Sequence, residues 1–169
     1  VLEHGDDGAP LAPLAAENSW LDFYSSGSTK EPRRITKTLG QLETEVRSLE
    51  TLWGERVGHG KVLSTVSHLH IYGLTFGILW SLVAARPFNS LAHENWESLI
   101  KELDNGAIII SSPAHLGRIP APLGLSDARR PSAVFSAGAL LPWHAGLRTH
   151  ETFGCWPTEI YGSTETGGI

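Results

Sequence analysis

The chain has 169 residues, of which 41% are hydrophobic, so it can bury one sizeable core but is short for two full domains. Its formal charge of -5 comes from interspersed acids and bases, with no block of Lys or Arg that could follow a nucleic-acid backbone. The single cysteine, Cys155, excludes an intrachain disulfide and therefore the disulfide-rich secreted class.

The N-terminal segment shows neither helical nor strand periodicity. Gly8, Pro10 and Pro13 in residues 1–19 predict a linker or tail, and residues 20–169 are predicted to form the folded part. Acids stand near the N-terminus where a secretory signal needs a basic stretch and then an apolar one. We therefore expect no export signal and a location in the reducing cytoplasm.

Strand and helix patterns then alternate along the first half of the chain. A strand is predicted over residues 20–24, and apolar residues at helical spacing predict a helix over 35–53. Residues 62–66 have the length of a short strand, and the apolar stretch 72–85 predicts a helix buried on most sides. This stretch is shorter than the roughly 20 residues that a membrane span needs, so no membrane contact is expected.

The second half of the chain repeats this cycle. The predicted elements are a helix over 93–103, a strand over 107–110, a strand over 133–135, a helix over 143–153 and a strand over 159–161. The strand over 107–110 is apolar on both faces and therefore belongs in the middle of a sheet. The alternation predicts an α/β fold with a doubly wound, mostly parallel sheet flanked by helices.

Three polar loops follow predicted strands or strand ends, over residues 25–34, 67–73 and 162–168. In sheets of this kind, ligands bind beyond the carboxyl ends of the strands. The first loop combines several hydroxyl groups with Gly27, which allows the backbone to approach an oxyanion closely. The same composition is also typical of a solvated Ser/Gly loop, so the loop alone leaves both interpretations open.

Two motifs together are similar to those of the adenylate-forming, AMP-binding enzyme superfamily, which includes acyl-CoA synthetases, luciferases and peptide-synthetase adenylation domains. Residues 24–33, Tyr-Ser-Ser-Gly-Ser-Thr-Lys-Glu-Pro-Arg, resemble its signature loop Thr-Ser-Gly-Ser/Thr-Thr-Gly-x-Pro-Lys-Gly, and residues 161–167 resemble its Tyr-Gly-x-Thr-Glu segment. Residues 70–74 and 136–142 stand between them in the family order. The resemblance covers residues 20–169 and implies part of the N-terminal core domain of an acyl-CoA synthetase-like ligase.

This resemblance implies ATP- and Mg²⁺-dependent activation of a small carboxylic acid to an acyl-adenylate, followed by thioester formation with CoA or the pantetheine of an acyl carrier protein. Thr164 would bond the α-phosphate, Glu165 would hold Mg²⁺, and His70 would border the acyl pocket. His68 and His70 lack an evident third ligand, which favours a pocket-lining role over a zinc site. The nucleotide-binding residues implied are Ser26, Gly27, Ser28, Thr29, Arg33, Gly138, Ala139, Tyr161 and Gly162.

The first motif departs from the family pattern at three positions. Lys30 and Arg34 replace glycines, and Arg33 replaces a lysine, keeping the charge but not the compact ammonium group. These departures leave a second interpretation open, a noncatalytic nucleotide-binding or scaffolding module. An unrelated α/β phosphate-binding protein is a third.

The family's pattern continues beyond the Thr-Glu segment into an aspartate that holds the ribose and a C-terminal domain with a catalytic lysine. We therefore expect this chain to be a fragment with little adenylation activity of its own. Sheet edges and apolar surface that the remainder would cover are expected to favour self-association.

Overall fold

The computed structural model describes residues 13–25, 33–120, 125 and 129–168. A short 3₁₀ turn (Ala16–Asn18) leads into an antiparallel hairpin formed by β1 (Trp20–Ser25) and β2 (Arg33–Thr38). The strand predicted over 20–24 is confirmed. The prediction that a helix begins at residue 35 is wrong, because residues 33–38 pair with β1 along their whole length.

Helix α1 (Leu39–Val57) begins where a capping box closes its first turn. The Thr38 hydroxyl accepts a hydrogen bond from the Gln41 N–H, and the Gln41 side chain accepts one from the Thr38 N–H. The helix ends at Gly58, whose φ of 71° suits a residue without a Cβ. The capping residues thus fix both ends of the longest helix.

Four parallel strands form the main sheet, in the order β3 (Val62–Ser64), β4 (Ile108–Ser111), β5 (Ala133–Ala137) and β6 (Thr158–Ile160). The strand predicted over 107–110 therefore lies inside the sheet, as its composition indicated. The segment before α3 covers the outer edge of β3, where the His93 N–H donates to the Ser64 carbonyl at 2.7 Å. Within the described residues, β6 is the other outermost strand of this sheet.

Helices cover both faces of the parallel sheet and confirm the predicted α/β architecture. A π-helix (Gly73–Leu79) continues as α2 (Trp80–Val83) and packs with α1 on one face. The other face is covered by α3 (Trp96–Glu102), α4 (Pro113–Leu116) and α5 (Trp143–Phe153). The predicted helix over 143–153 has these bounds, whereas the one predicted from 93 begins at Trp96, after the Asn95 side chain accepts from the Ser98 N–H.

Successive residues of β4 point to opposite faces and so build two separate apolar cores. Ile108 and Ile110 pack with Phe76 and Phe135 beneath α1, while Ile109 packs on the other face. Each fully buried side chain of this size contributes about 1.5–3 kcal/mol. The sheet is therefore held rigidly on both faces, and its carboxyl edge is a stable platform for loops.

None of the helices in the described ranges is long and apolar enough to cross a membrane.

Candidate active site

A cavity of about 180 Å³ opens at the carboxyl edge of the parallel sheet, beyond β5 and β6. It brings together three segments that the sequence motifs singled out: the start of the π-helix, the end of β5 and the turn after β6. Its lining residues are Glu45, Ile71, Tyr72, Thr75, Phe76, Ala137, Gly138, Ile160, Gly162, Ser163, Thr164 and Gly167.

The turn after β6 is a small antiparallel hairpin, with β7 (Gly162–Ser163) paired to β8 (Gly167–Gly168). The hydroxyls of Ser163 and Thr166 lie 3.2 Å apart, and the Thr166 N–H donates to Ser163 Oγ at 3.3 Å. Gly167 has a φ of 83°, a left-handed conformation that favours glycine. This turn presents Thr164 to the cavity, so the predicted loop over 162–168 is confirmed as a turn at the site.

Glu165 lies on the outer side of the same turn, close to two cations of β2. Its carboxylate oxygen is 4.0 Å from Arg33 Nη1, and Lys37 Nζ donates to its backbone carbonyl at 3.3 Å. Hydrogen bonds from its own backbone N–H and the Ser163 hydroxyl, with the charges of Arg33 and Lys37, hold the pKa of Glu165 below its ordinary value. An exposed, ionised carboxylate of this kind is a suitable ligand for a hard cation.

The two strands that flank the first predicted loop form an antiparallel pair of their own and do not belong to the parallel sheet. We expected residues 25–34 to follow one of its strands, but Ser25 and Arg33 form the last and first residues of an antiparallel pair. Arg33 therefore belongs to a strand, and its connection to the site is its ion pair with Glu165. The predicted phosphate-binding residues Ser26, Gly27, Ser28 and Thr29 lie outside the described residues.

The residues predicted to surround the adenine divide between the cavity and its rim. Gly138, with a φ of 97°, and Gly162 both line the cavity. Ala139 and Tyr161 are exposed and do not line it, and the Tyr161 residue is 84% exposed. A ring so exposed at the end of a strand presents a face on which a planar ligand can stack.

His70 is exposed and is not among the residues that line the cavity. Its carbonyl accepts from the Leu74 N–H at 2.9 Å, so its backbone begins the helical segment whose next two residues do line the cavity. His68 does not line the cavity either, and its Nδ1 lies 3.2 Å from the Ser90 carbonyl oxygen. Across the described part of the chain, no three His, Cys, Asp or Glu side chains converge as a metal-binding group.

Two residues at the cavity were missed by the sequence interpretation. Tyr72 lines the cavity, its hydroxyl is buried beside the Ser111 backbone, and burial raises the pKa of this phenol. Glu45 lines the cavity from α1. An acid beside Leu42, Val46 and Leu49 on the buried face of the helix was the available signal.

Comparisons with known proteins show which family the chain resembles. The family model for the AMP-binding enzyme matches residues 3–169. A 4-coumarate–CoA ligase of Rhodobacter capsulatus is 30% identical over 181 residues, covering 100% of this chain and 42% of that protein. One from Cereibacter sphaeroides is 28% identical over 164 residues, covering 92% and 38%. The chain thus spans about two fifths of the length of these relatives.

Solved structures show the same fold. A malonyl-CoA ligase with methylmalonyl-CoA and AMP bound superposes with a TM-score of 0.74 at 26% identity, covering 87% of this chain and 33% of that one. ATP-bound MatB from Rhodopseudomonas palustris gives a TM-score of 0.75 at 17% identity, covering 87% and 29%, and supports the fold alone. From the family match along nearly its whole length, the chain belongs to the AMP-binding family of adenylate-forming enzymes.

Proposed function

We propose that the protein containing this chain uses ATP to convert a carboxylic acid into an acyl-adenylate and then transfers the acyl group to a thiol, in the cytoplasm. A carboxylate oxygen attacks the α-phosphorus, and the bond to pyrophosphate breaks. The thiol sulfur then attacks the acyl carbon, and AMP leaves. The observation that carries this proposal is the cavity itself, because three motif segments from distant parts of the chain line it together.

The end of the cavity near the turn suits the nucleotide. Thr164 places a hydroxyl on the wall, where it can donate to an α-phosphate oxygen, and Gly138 and Gly162 let the backbone come close to a ligand. The exposed ring of Tyr161 offers a stacking surface for adenine, with Ala139 beside the same rim. These interactions would hold the α-phosphorus in line for attack, which is how catalysis without a side-chain nucleophile works.

The residues around Glu165 fit a magnesium ion and the outer phosphates. Mg²⁺ typically takes one or two carboxylates together with substrate phosphates, and the ionised Glu165 supports this proposal by offering one such carboxylate. Bound there, the cation would neutralise phosphate charge. Arg33 and Lys37 place further positive charge beside this turn. We retain Ser26, Gly27, Ser28 and Thr29 as the proposed cradle for the β- and γ-phosphates.

The apolar end of the cavity suits the acyl group. Ile71, Phe76 and Ile160 line it, and the Tyr72 side chain also contributes to the wall. The volume equals about six water molecules at about 30 Å³ each, well below the pockets of drug-sized ligands. Because the nucleotide is proposed to share this cavity, its volume does not select a class of acid, and the acid panel described below is needed to do so. His70 is proposed to border the entrance of the acyl site.

The test is carboxylate-dependent exchange of pyrophosphate into ATP by the longest protein that contains this chain, with a panel of aliphatic, aryl and amino acids. Exchange with one class of acid is expected, and Glu165→Ala should lower it about 100-fold or more. Glu55→Ala is the matched control, since Glu55 is also an exposed acid but lies on the outer surface of α1. Equal loss in both variants would contradict the assigned role of Glu165.

The thiol acceptor is tested separately. CoA or a phosphopantetheinylated acyl carrier protein is added after the acyl-adenylate has formed, and the release of AMP is measured. We expect only one of the two thiols to release AMP. We expect CoA, since the relatives named above are CoA ligases. Release of AMP with the carrier protein alone would assign this chain to carrier loading.

A noncatalytic nucleotide-binding module is the second candidate. The departures at Lys30, Arg33 and Arg34 favour it, because the Arg34 guanidinium pairs with Asp22 at 3.7 Å within the hairpin, where the family has a glycine. This candidate predicts nucleotide binding without exchange for every acid. Equilibrium binding of ATP measured beside the exchange assay separates the two candidates.

A further inference from the structure

Glu45 is the acidic residue that α1 presents toward the turn carrying Thr164 and Glu165. It shares the inner face of the helix with Leu42, Val46 and Leu49, whose burial fixes that face against the sheet. Glu45 is half-buried and lines the cavity on one side. On its other side it borders a groove shared with Lys37, Glu165 and Thr166. It therefore stands in the wall between the cavity and the outer face of the turn.

The Glu45 carboxyl group lies directly against Gly167. A Cβ added to Gly167 would lie 2.8 Å from Oε2, 3.0 Å from Cδ and 3.2 Å from Oε1 of Glu45. All three carboxyl atoms thus face the glycine, and no larger residue fits without moving one of the two. Gly167 is buried although Glu165 and Thr166 before it are exposed. This contact is the packed base of an otherwise exposed turn.

The turn has little structure of its own to fix its position. Its two strands are two residues long, and its internal hydrogen bonds join the exposed side chains of Ser163 and Thr166. Among the described contacts that the β2–α1 unit makes with the turn are those of Arg33 and Lys37 at Glu165 and that of Glu45 at Gly167. The exposed ion pair between Arg33 and Glu165 contributes little to holding the turn in place. The contact at Gly167 is made at the buried base of the turn and therefore limits where the turn can lie.

We propose that Glu45 is a positioning residue, which sets the placement of Thr164 and Glu165 by supporting the turn at Gly167. This inference rests on the proposed function for its kinetic consequences. Misplacing a group by about 1 Å can cost about 100-fold in rate, so a support of this kind matters more for turnover than for folding. Glu45 acts through the turn and is not assigned a contact with the substrates.

The kinetic test compares Glu45→Ala, Glu45→Gln and the control Glu43→Ala in the longest protein that contains this chain. Glu43 lies on the same helix and pairs with Arg47 on its exposed side. Glu45→Ala is expected to lower kcat for pyrophosphate exchange about 10- to 100-fold and to raise the Mg²⁺ concentration needed, with the KM for the acid little changed. Glu45→Gln, which keeps the length and shape, should restore most of the rate.

Unchanged kcat in Glu45→Ala would overturn the proposal. So would a loss of kcat that Glu43→Ala reproduces, or a raised KM for the acid with an unchanged Mg²⁺ dependence, which would place Glu45 in substrate binding. Circular dichroism and Tm of each variant verify that the compared proteins are folded.

A stability cycle tests the contact without relying on activity. Gly167→Ala adds a methyl group toward the Glu45 carboxyl, and it also strains a positive φ. The strain persists in the double variant with Glu45→Ala, but the collision does not. Gly167→Ala should therefore lower Tm by less in the Glu45→Ala background. Equal losses in both backgrounds would refute the contact, whereas absent exchange with a measurable coupling would refute only the proposed function.

Discussion

Among single substitutions of the residues of α1 that are not fully buried, Glu50→Ala should destabilise the folded chain most. Arg86 is buried, with its side chain 1% exposed, and it donates to both Glu50 carboxylate oxygens at 2.6 and 3.1 Å. The Trp80 indole N–H also donates to Glu50, at 2.7 Å. One carboxylate therefore satisfies a buried guanidinium and a buried indole.

The magnitude follows from what the substitution leaves behind. Without Glu50, Arg86 keeps its bond to the Gly58 carbonyl and its position over the Trp80 ring, but its charge has no counterion nearby in the described structure. Removing one partner of a buried ion pair costs about 3–5 kcal/mol. Because a third of the Glu50 side chain is exposed, water can replace part of the lost interaction, so we expect a loss of about 3 kcal/mol.

Urea unfolding followed by tryptophan fluorescence measures this loss, with Glu55→Ala as the exposed control on the same helix. The control should change the free energy of unfolding by less than about 0.5 kcal/mol. A loss below about 1 kcal/mol for Glu50→Ala would refute the argument that this carboxylate compensates the Arg86 charge. The double variant Glu50→Ala, Arg86→Met should be less destabilised than Glu50→Ala alone, because it removes the buried charge as well.

The same pair predicts a pH dependence. Burial opposes ionisation of Glu50, but hydrogen bonds from Arg86 and Trp80 outweigh it and hold the folded-state pKa below the ordinary value of 4.5. The stabilisation is thus present above pH 4.5 and is lost as the pH falls through the folded-state pKa. The difference in unfolding free energy between wild type and Glu50→Gln should narrow below pH 4.5, and a difference constant down to pH 3 would contradict this.

Three further outcomes are expected. Thr38→Ala removes the capping hydroxyl of α1 and should cost about 1 kcal/mol in urea unfolding, whereas Thr51→Ala, within the helix, should cost less. Phe135→Ala empties the centre of an aromatic cluster and should cost about 3–5 kcal/mol; a loss under 1 kcal/mol would show that this core can collapse. Burial raises the pKa of the Cys155 thiol, so iodoacetamide should alkylate it more slowly than a free cysteine at pH 8, and equal rates would contradict the burial.

Elements whose signals are local could be predicted from the sequence alone. The run of isoleucines over 108–110 identified a central strand because it is apolar on both faces, and the spacing over 143–153 identified α5. The motif segments at Thr164 and Gly138 were found because each requires particular residue types in adjacent positions. Local periodicity and composition were sufficient for the α/β class, and the resemblance of short motifs to those of the AMP-binding family indicated the segments at Gly138 and Thr164, which line the cavity.

Features that depend on contacts between residues far apart in the chain could be seen only in the tertiary structure. Residues 33–38 form a strand only because β1 lies beside them, so a helical pattern that begins at residue 35 misled the prediction. The motif predicts that His70 borders the acyl pocket, and the helical backbone that follows it brings Ile71 and Tyr72 to the cavity wall, which no local pattern indicated.

The contact of Glu45 with Gly167 likewise had no local signal beyond an acid on an apolar helix face. Such contacts depend on how α1 packs across the sheet, because side chains far apart in the chain meet only when both cores are formed. Short motifs thus indicated the family and the candidate residues, while the geometry of the cavity was fixed by packing.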